Sequence, residues 1–402
     1  MSNDKAIRIL HTADFHLGIK MGSIVPPSVE ELRREDFYKN MFFIAEYAIR
    51  NNADIVLISG DVFNRPDPAG RDFVAFSEFV GKLVGAGIYV VVIAGNHDKP
   101  KTTRARNPME GLQKANLPYF WYFQSTPKDP LVLEIRGRRV GIAVIPYIDP
   151  QVIKLEGIPY EGLVRDLVNG FVEKLEHMDV DYRIFMAHIL LAEARFSEIF
   201  PLYSSEPRIS RSVLREEFFD YVALGHVHRP QKVGEKIYYA GSIERIAFDE
   251  AAEQKSFYFI EIDDGEISVR KIPLECRPMV VQKLELSHIS RNDFLRSIHA
   301  LSGIPPNALL RLIIDADEET MRSVIDKYWP EAQEILFREK RVVGYSLKKN
   351  KISATSTGRS SPRVGKLRQR IIEYIDSLRA PQRVKERAKE IARKVMDEVG
   401  IS

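Results

Sequence analysis

Ile88-Tyr89-Val90-Val91-Val92-Ile93-Ala94-Gly95-Asn96-His97-Asp98 is the stretch that decides the fold. An apolar run rich in β-branched side chains passes through a glycine straight into polar groups able to do chemistry. Such a run, short and ended by Gly, reads as a buried strand. Ligands in layered α/β proteins bind beyond the carboxyl ends of strands, where the polar groups fall. Outward from this stretch the pattern repeats four times. Residues 7–10 precede Asp14-Phe15-His16, residues 55–58 precede Gly60-Asp61, residues 184–186 precede His188, and residues 221–224 precede Gly225-His226-Val227-His228. Clusters repeating at that place converge on one cleft.

Asp14, His16, Asp61, Asn96, His188, His226 and His228 offer two carboxylates, one amide carbonyl and four imidazoles, with no thiolate. That donor set suits manganese, iron or zinc, and its imidazole share argues against magnesium or calcium alone. Seven donors exceed the needs of one ion, whereas two ions sharing a carboxylate use them all. Asp61, whose cluster lies between the others, is the natural bridge. Two divalent ions against two aspartates leave about +2 to hold a phosphate and a hydroxide, and such pairs stabilise in-line displacement at phosphorus. Phosphoester hydrolysis is the expected chemistry. His97 stands apart, because a turn does not easily aim two successive side chains at one ion. It is expected as general acid to the leaving oxygen, with Asp98 holding its other nitrogen. His11, on the first strand, reads as a core group or a support for the centre, and His177, His288 and His299 read as structural or exposed.

Between the clusters, residues 28–51 and 72–84 carry apolar residues at helical spacing, giving βαβα order. Residues 140–188 add a strand, a helix and a strand, and residues 237–271 read as short antiparallel strands. The expectation for residues 1–277 is an α/β fold, a two-sheet sandwich flanked by helices. Residues 278–350 read as a small α/β capping domain with strands at 279–286, 309–314 and 335–343 and helices at 291–300 and 318–328. Residues 351–402 read as a linker, of Ser/Thr/Gly/Arg composition over 353–362, and a helical hairpin. Its two stripes are Val364, Leu367, Ile371, Ile375, Leu378 and Val384, Ala388, Ile391, Val395, Val399, each too short to be stable without a surface to cover.

Composition agrees with a folded, water-facing protein: 402 residues, 45% hydrophobic and 29% charged. No 18-residue apolar run exists, and the chain enters a strand within a few residues, so neither a membrane span nor a secretory signal is expected. The single cysteine, Cys276, fits a reducing cytoplasm. The net charge of +3 is uneven: residues 351–402 hold 13 Lys/Arg against 6 Asp/Glu, a net +7 that leaves −4 for the rest.

The order DxH, GD, GNHD, H, GHxH resembles the calcineurin-like metallophosphoesterases. Within it, His11-Thr12-Ala13-Asp14-Phe15-His16-Leu17-Gly18, Gly60-Asp61-Val62-Phe63 and Arg65-Pro66-Asp67-Pro68 are similar to the double-strand-break repair nucleases, the SbcD-type subunits and the archaeal and eukaryotic meiotic-recombination nucleases. The resemblance implies a two-manganese DNA nuclease. Asp14, His16, Asp61 and His228 would hold one ion, Asp61, Asn96, His188 and His226 the other, and His97 would be the acid. It implies duplex 3′ to 5′ exonuclease and single-strand endonuclease activity. It further implies a homodimer and a coiled-coil ATPase of SbcC type bound through the C-terminal hairpin. The place of action would be the cytoplasm, on the nucleoid in a prokaryote. The chain has no GxxxxGK[ST] loop, so ATP use falls to such a partner. It departs from the archaeal and eukaryotic pattern at Asn64, where a histidine usually helps to place the phosphate; asparagine donates a hydrogen bond but carries no proton to give.

Lys99, Lys101, Arg104 and Arg106 follow the GNHD cluster as candidate phosphate contacts, whereas Arg136, Arg138 and Arg139 read as an exposed hairpin. A small-molecule phosphodiesterase or protein phosphatase of the same fold is the second reading, although protein phosphatases carry GDxVDRG and GNHE where this chain has Gly60-Asp61-Val62-Phe63-Asn64-Arg65 and GNHD. A weakly catalytic scaffold for DNA ends is the third.

Overall fold

The computed structural model describes residues 5–22, 24, 26–99, 107–155, 157–196, 206–352, 372, 374–376 and 382–398. The chain opens with β1 (Ile7–Thr12), α1 (Val29–Arg50), β2 (Ile55–Ile58), α2 (Gly70–Gly85), β3 (Tyr89–Ile93), α3 (Met109–Lys114) and β4 (Phe120–Phe123). It continues through β5 (Leu131–Ile135), β6 (Arg138–Ile145), α4 (Pro150–Leu155), α5 (Tyr160–Glu176), β7 (Tyr182–His188), β8 (Tyr221–Gly225), β9 (Gln231–Lys232) and β10 (Ile237–Tyr239). The antiparallel pair β11 (Ser256–Asp263) and β12 (Glu266–Pro273) returns to the first sheet. Two mixed six-stranded sheets result, ordered β12-β11-β1-β2-β3-β4 and β5-β6-β7-β8-β10-β9.

Alternation of side chains along each strand sorts these residues into three layers. Ile9, Ile55, Leu57, Val91 and Ile93 of one sheet meet Ile142, Val144, Ile184, Met186 and Ala223 of the other. On the outer face of the first sheet, Val56, Ile58, Val90 and Val92 pack on α1 and α2 through Met41, Ile44, Phe76 and Phe79. On the outer face of the second, Phe185, Val222 and Leu224 pack on Val164, Val168 and Phe171 of α5. Strands covered on both faces read as continuous apolar runs, which is why they were visible in the sequence. The parallel strands β1, β2 and β3 of one sheet and β7 and β8 of the other end beside one another, and the polar clusters sit there.

The next unit is a wholly parallel three-stranded sheet, β13 (Met279–Leu286), β14 (Leu309–Ala316) and β15 (Gly344–Lys351), with β14 central. One face, through Leu310, Leu312 and Ile314, packs on α6 (Arg291–His299) and α7 (Asp326–Arg338). A helical turn at Glu318–Thr320 and a π turn at Met321–Ile325 lead into α7. The strand expected at 335–343 is not there: α7 runs to Arg338, and the third strand begins at Gly344. Ile335 and Leu336 are apolar because α7 buries them against the sheet.

α8 (Gln382–Glu398) follows the second C-terminal stripe, with Ile391 of that stripe exposed. Lys389 pairs with Asp376 at 2.6 Å, which brings 374–376 beside α8. Val364, Leu367, Ile371 and Leu378 of the first stripe, Val399 of the second and the 353–362 stretch lie outside the described residues. Among the described residues, no helix is long and apolar enough to cross a membrane.

Candidate metal centre

Beyond β1 and β2 the backbones keep bonding to each other: Asp14 N–H donates to Gly60 O, and His16 N–H to Asp61 O, both at 2.9 Å. Asp14, His16, Asp61 and His226 all hold positive φ, at 53°, 45°, 53° and 91°. Such backbone is unfavourable for residues with a Cβ and is retained where the surroundings over-determine it. The glycines make the approach possible. A Cβ on Gly95 would stand 2.0 Å from Asp61 Oδ1, and one on Gly225 would stand 1.9 Å from Ser59 O.

The structure brings all seven expected donors together. Ligand atoms of Asp14, His16 and His228 lie within 4.8 Å of one another, and so do those of Asp61, His188 and His226. Asn96 Oδ1 stands 3.0 Å from both His188 Nε2 and His226 Nδ1. Asp61 Oδ2 lies 3.6 Å from His16 Nε2 and 3.5 Å from His188 Nε2, placing this carboxylate between the two groups.

The tautomers test whether cations fit. His188 Nδ1 faces Ser59 O at 2.8 Å, and a carbonyl only accepts, so a neutral His188 keeps its proton there and turns the Nε2 lone pair inward. His228 Nδ1 faces Glu250 Oε1 at 3.0 Å, which likewise leaves its Nε2 lone pair for the centre, 3.1 Å from His16 Nε2. His226 Nε2 meets Glu206 Oε2 at 2.6 Å while Nδ1 turns inward. Lone pairs of imidazole, amide and carboxylate therefore point at one another, an arrangement that divalent ions satisfy. Burial opposes charge on His188, yet Asp61 and Asp14 hold its pKa up to about 9, so this position favours positive charge. Asp61 is held below the ordinary carboxylate range, with its burial outweighed by His188 and His16.

His97 stands beside this set, with its ring 4.8 Å from that of His16 and its backbone N–H donating to Asp61 Oδ1 at 2.8 Å. Asp98 does not hold His97. Its carboxylate accepts from the backbone N–H groups of Val62, Phe63 and Gly95 at 3.0–3.1 Å and so ties the β2 and β3 loops together. Burial, then Asp61, raises Asp98 to about 6. The partner of His97 Nδ1 is Asn64 O at 3.0 Å, so the position that departs from the nuclease pattern supports His97 through its backbone.

His11 is a core group, buried between the sheets, bonded to Tyr221 and Ser59 and pushed down to about 3 by burial. Sequence reading missed Glu250, Glu206 and Ser59, the groups that orient the imidazoles. No apolar strand run precedes Glu250 or Glu206, so the pattern that exposed the ligands does not reach them. A cavity of about 1300 Å³ opens from Asn96, His226 and His228 and is walled by Tyr147, Tyr160 and Phe196 among others. Lys99 is half-buried and donates to Tyr147 O at 3.1 Å, while Lys101, Arg104 and Arg106 lie outside the described residues. Arg136, Arg138 and Arg139 are ion-paired at the β5–β6 turn, at the opposite end of the strands from the clusters.

The calcineurin-like phosphoesterase family matches residues 7–230. The chain is 26% identical over 342 residues to SbcD of the SbcCD nuclease of Escherichia coli strain K12, spanning 78% of this chain and 79% of that protein; the O157:H7 protein matches equally. A dimetal phosphatase from Danio rerio aligns with 66% of this chain and 96% of its own at a TM-score of 0.40 and 10% identity, a level that says nothing about activity. The family match spans the strands and loops that assemble the convergent donors, and the chain belongs to the calcineurin-like phosphoesterases, metal-dependent enzymes of phosphoester hydrolysis.

Proposed function

We propose that this chain is the nuclease subunit of a DNA double-strand-break repair complex, using two manganese ions to cut duplex ends 3′ to 5′ and single strands internally. The observation that carries the reading is the place of Asp61 Oδ2 between His16 Nε2 and His188 Nε2, with donor groups on either side. Similarity to SbcD of the SbcCD nuclease supplies the substrate class. Asp14, His16, Asp61 and His228 would hold one ion and Asp61, Asn96, His188 and His226 the other. When bound, the ions supply positive charge and Lewis acidity for displacement at phosphorus.

The chain's own residues do the rest. His97 donates a proton from Nε2 to the leaving oxygen, while Nδ1 is kept as donor to Asn64 O. The backbone N–H of His97 fixes one oxygen of Asp61, leaving the other to the centre. Asp98 keeps the two loops in register by accepting three backbone N–H bonds.

The same reading divides the chain into a catalytic domain (1–277), a capping domain (278–350) and a C-terminal linker and hairpin (351–402). The hairpin takes an ATPase of SbcC type, and the chain works as a homodimer in the cytoplasm, on the nucleoid if the source is a prokaryote. Ile391 and Tyr374, 54% and 66% exposed, support a partner surface there. Deleting residues after Ser353 should abolish co-purification with the ATPase and leave cleavage intact; retained co-purification contradicts the assignment. For the substrate, labelled DNA and bis-p-nitrophenyl phosphate are offered in manganese. Turnover of the small diester without any cleavage of DNA would favour a phosphodiesterase of this fold instead.

A further inference from the structure

Outside the seven donors, a pair of buried opposite charges lies against His228. Glu250 is 4% exposed and Lys255 is fully buried. Each Glu250 oxygen is committed: Oε1 takes His228 Nδ1 at 3.0 Å, and Oε2 takes Ile246 N–H and Lys255 Nζ, both at 2.9 Å. Lys255 has three protons to give and three acceptors, Glu250 Oε2, Glu253 Oε2 at 2.8 Å and the backbone O of His228 at 2.9 Å. One ammonium therefore grips His228 twice, through its carbonyl and through the carboxylate on its ring. The far side is anchored too, since the Arg245 guanidinium donates to Glu253 O and to Arg277 O, where the chain leaves for the three-stranded unit.

Stability alone is a poor account of such a cluster, because an apolar replacement of similar volume often does as well as a buried ion pair. Orientation is a better one. The His228 side chain is 27% exposed, so packing confines it less than the fully buried His188, and its Nε2 must be aimed at a point shared with Asp14 and His16. A carboxylate on the second nitrogen of a ligating histidine fixes the tautomer and the ring plane.

We infer that Glu250, locked in place by Lys255, is the positioning residue that aims His228 Nε2 at the ion shared with Asp14 and His16. The inference rests on the two-metal reading. It is tested on the full chain by counting bound manganese and its dissociation constants from the free-ion electron paramagnetic resonance signal, alongside melting in chelator. Wild type should bind two ions. Glu250→Ala should weaken one of them about 10- to 100-fold and spare the other. Glu250→Gln keeps an oxygen for His228 Nδ1 and should recover much of that affinity; it also keeps the volume, so the comparison survives if the alanine variant does not fold. Lys255→Met should weaken the same ion by less. Two unaltered dissociation constants with only a lowered melting temperature would overturn the inference alone, as would a glutamine variant no better than alanine. A wild type that binds no manganese would bring down the metal reading, and this inference with it.

Discussion

Two aspartates stand beyond the carboxyl ends of parallel strands, Asp61 after β2 and Asp317 after β14, and they are put to opposite use. Asp317 spends its carboxylate locally: Oδ1 takes Thr320 N–H at 2.8 Å, and Oδ2 takes the Thr320 hydroxyl at 2.7 Å and His288 N–H at 3.1 Å. It caps the helical turn that follows, and among the described residues no cluster of metal-ligating groups includes it. Asp61 gives one oxygen to a backbone N–H and leaves the other facing two imidazoles whose protons are directed elsewhere or left to the site. The surroundings differ in the same sense. Asp61 sits at a φ of 53° with Gly95 pressed against it, whereas Asp317 holds ordinary extended backbone, φ −65° and ψ 162°. A strand end becomes a metal centre only when its polar groups are left unsatisfied by their own loop and close glycine contacts allow several loops to meet.

That contrast is sharpest under substitution of the two aspartates. Asp61→Ala should lose both ions and at least about 10³-fold in cleavage, since several kcal/mol of charge stabilisation go with them. Asp317→Ala should keep both ions; loss of manganese there would break the comparison. Next in size, Leu312→Ala in the small sheet should cost about 2–5 kcal/mol of stability in that unit, read by denaturant unfolding, with the manganese count unchanged. Gly95→Ala should cost about 1–3 kcal/mol or more and displace Asp61, because the added Cβ has no room. Gly303→Ala should cost about 1–2 kcal/mol, from its φ of 69° alone, and leave the metal untouched.

The smallest effect is one of pH. Hydrogen bonds from Thr320 hold Asp317 at about 2, below its ordinary value of 3.8, so its contribution is present above pH 3.8 and disappears as pH falls through about 2. The urea midpoints of wild type and Asp317→Asn should therefore differ near neutrality and merge toward pH 2. A difference that grows on acidification would show that the carboxylate is not what caps this turn.

The legible parts of the sequence were those whose burial is simplest. Strands covered on both faces, such as β3 and β8, appear as unbroken apolar runs, and the groups just beyond them fall at a fixed place in the fold. β15 defeated the same rule because one face of its sheet is open and it carries Lys348, Lys349 and Lys351, while the apolar end of α7 imitated a strand. The Asp98 partnership failed for another reason. Successive residues in a tight turn point apart, so Asp98 reaches the backbone of the β2 loop while His97 reaches Asn64. Glu250 was illegible because it meets His228 across 22 residues, from a short 3-10 turn without an apolar run before it.

In the proposed function the convergent donors hold two manganese ions for cutting DNA, with His97 as the acid. Cleavage of labelled linear duplex and single-stranded DNA in manganese, wild type against His97→Ala with bound ions counted in both, tests it most directly. Two ions are expected in each protein, with a loss of about 10²- to 10⁴-fold in cleavage for the variant. A variant that loses an ion would make His97 a ligand instead of the acid, and a wild type that holds two ions yet leaves both DNAs intact would contradict the nuclease assignment itself.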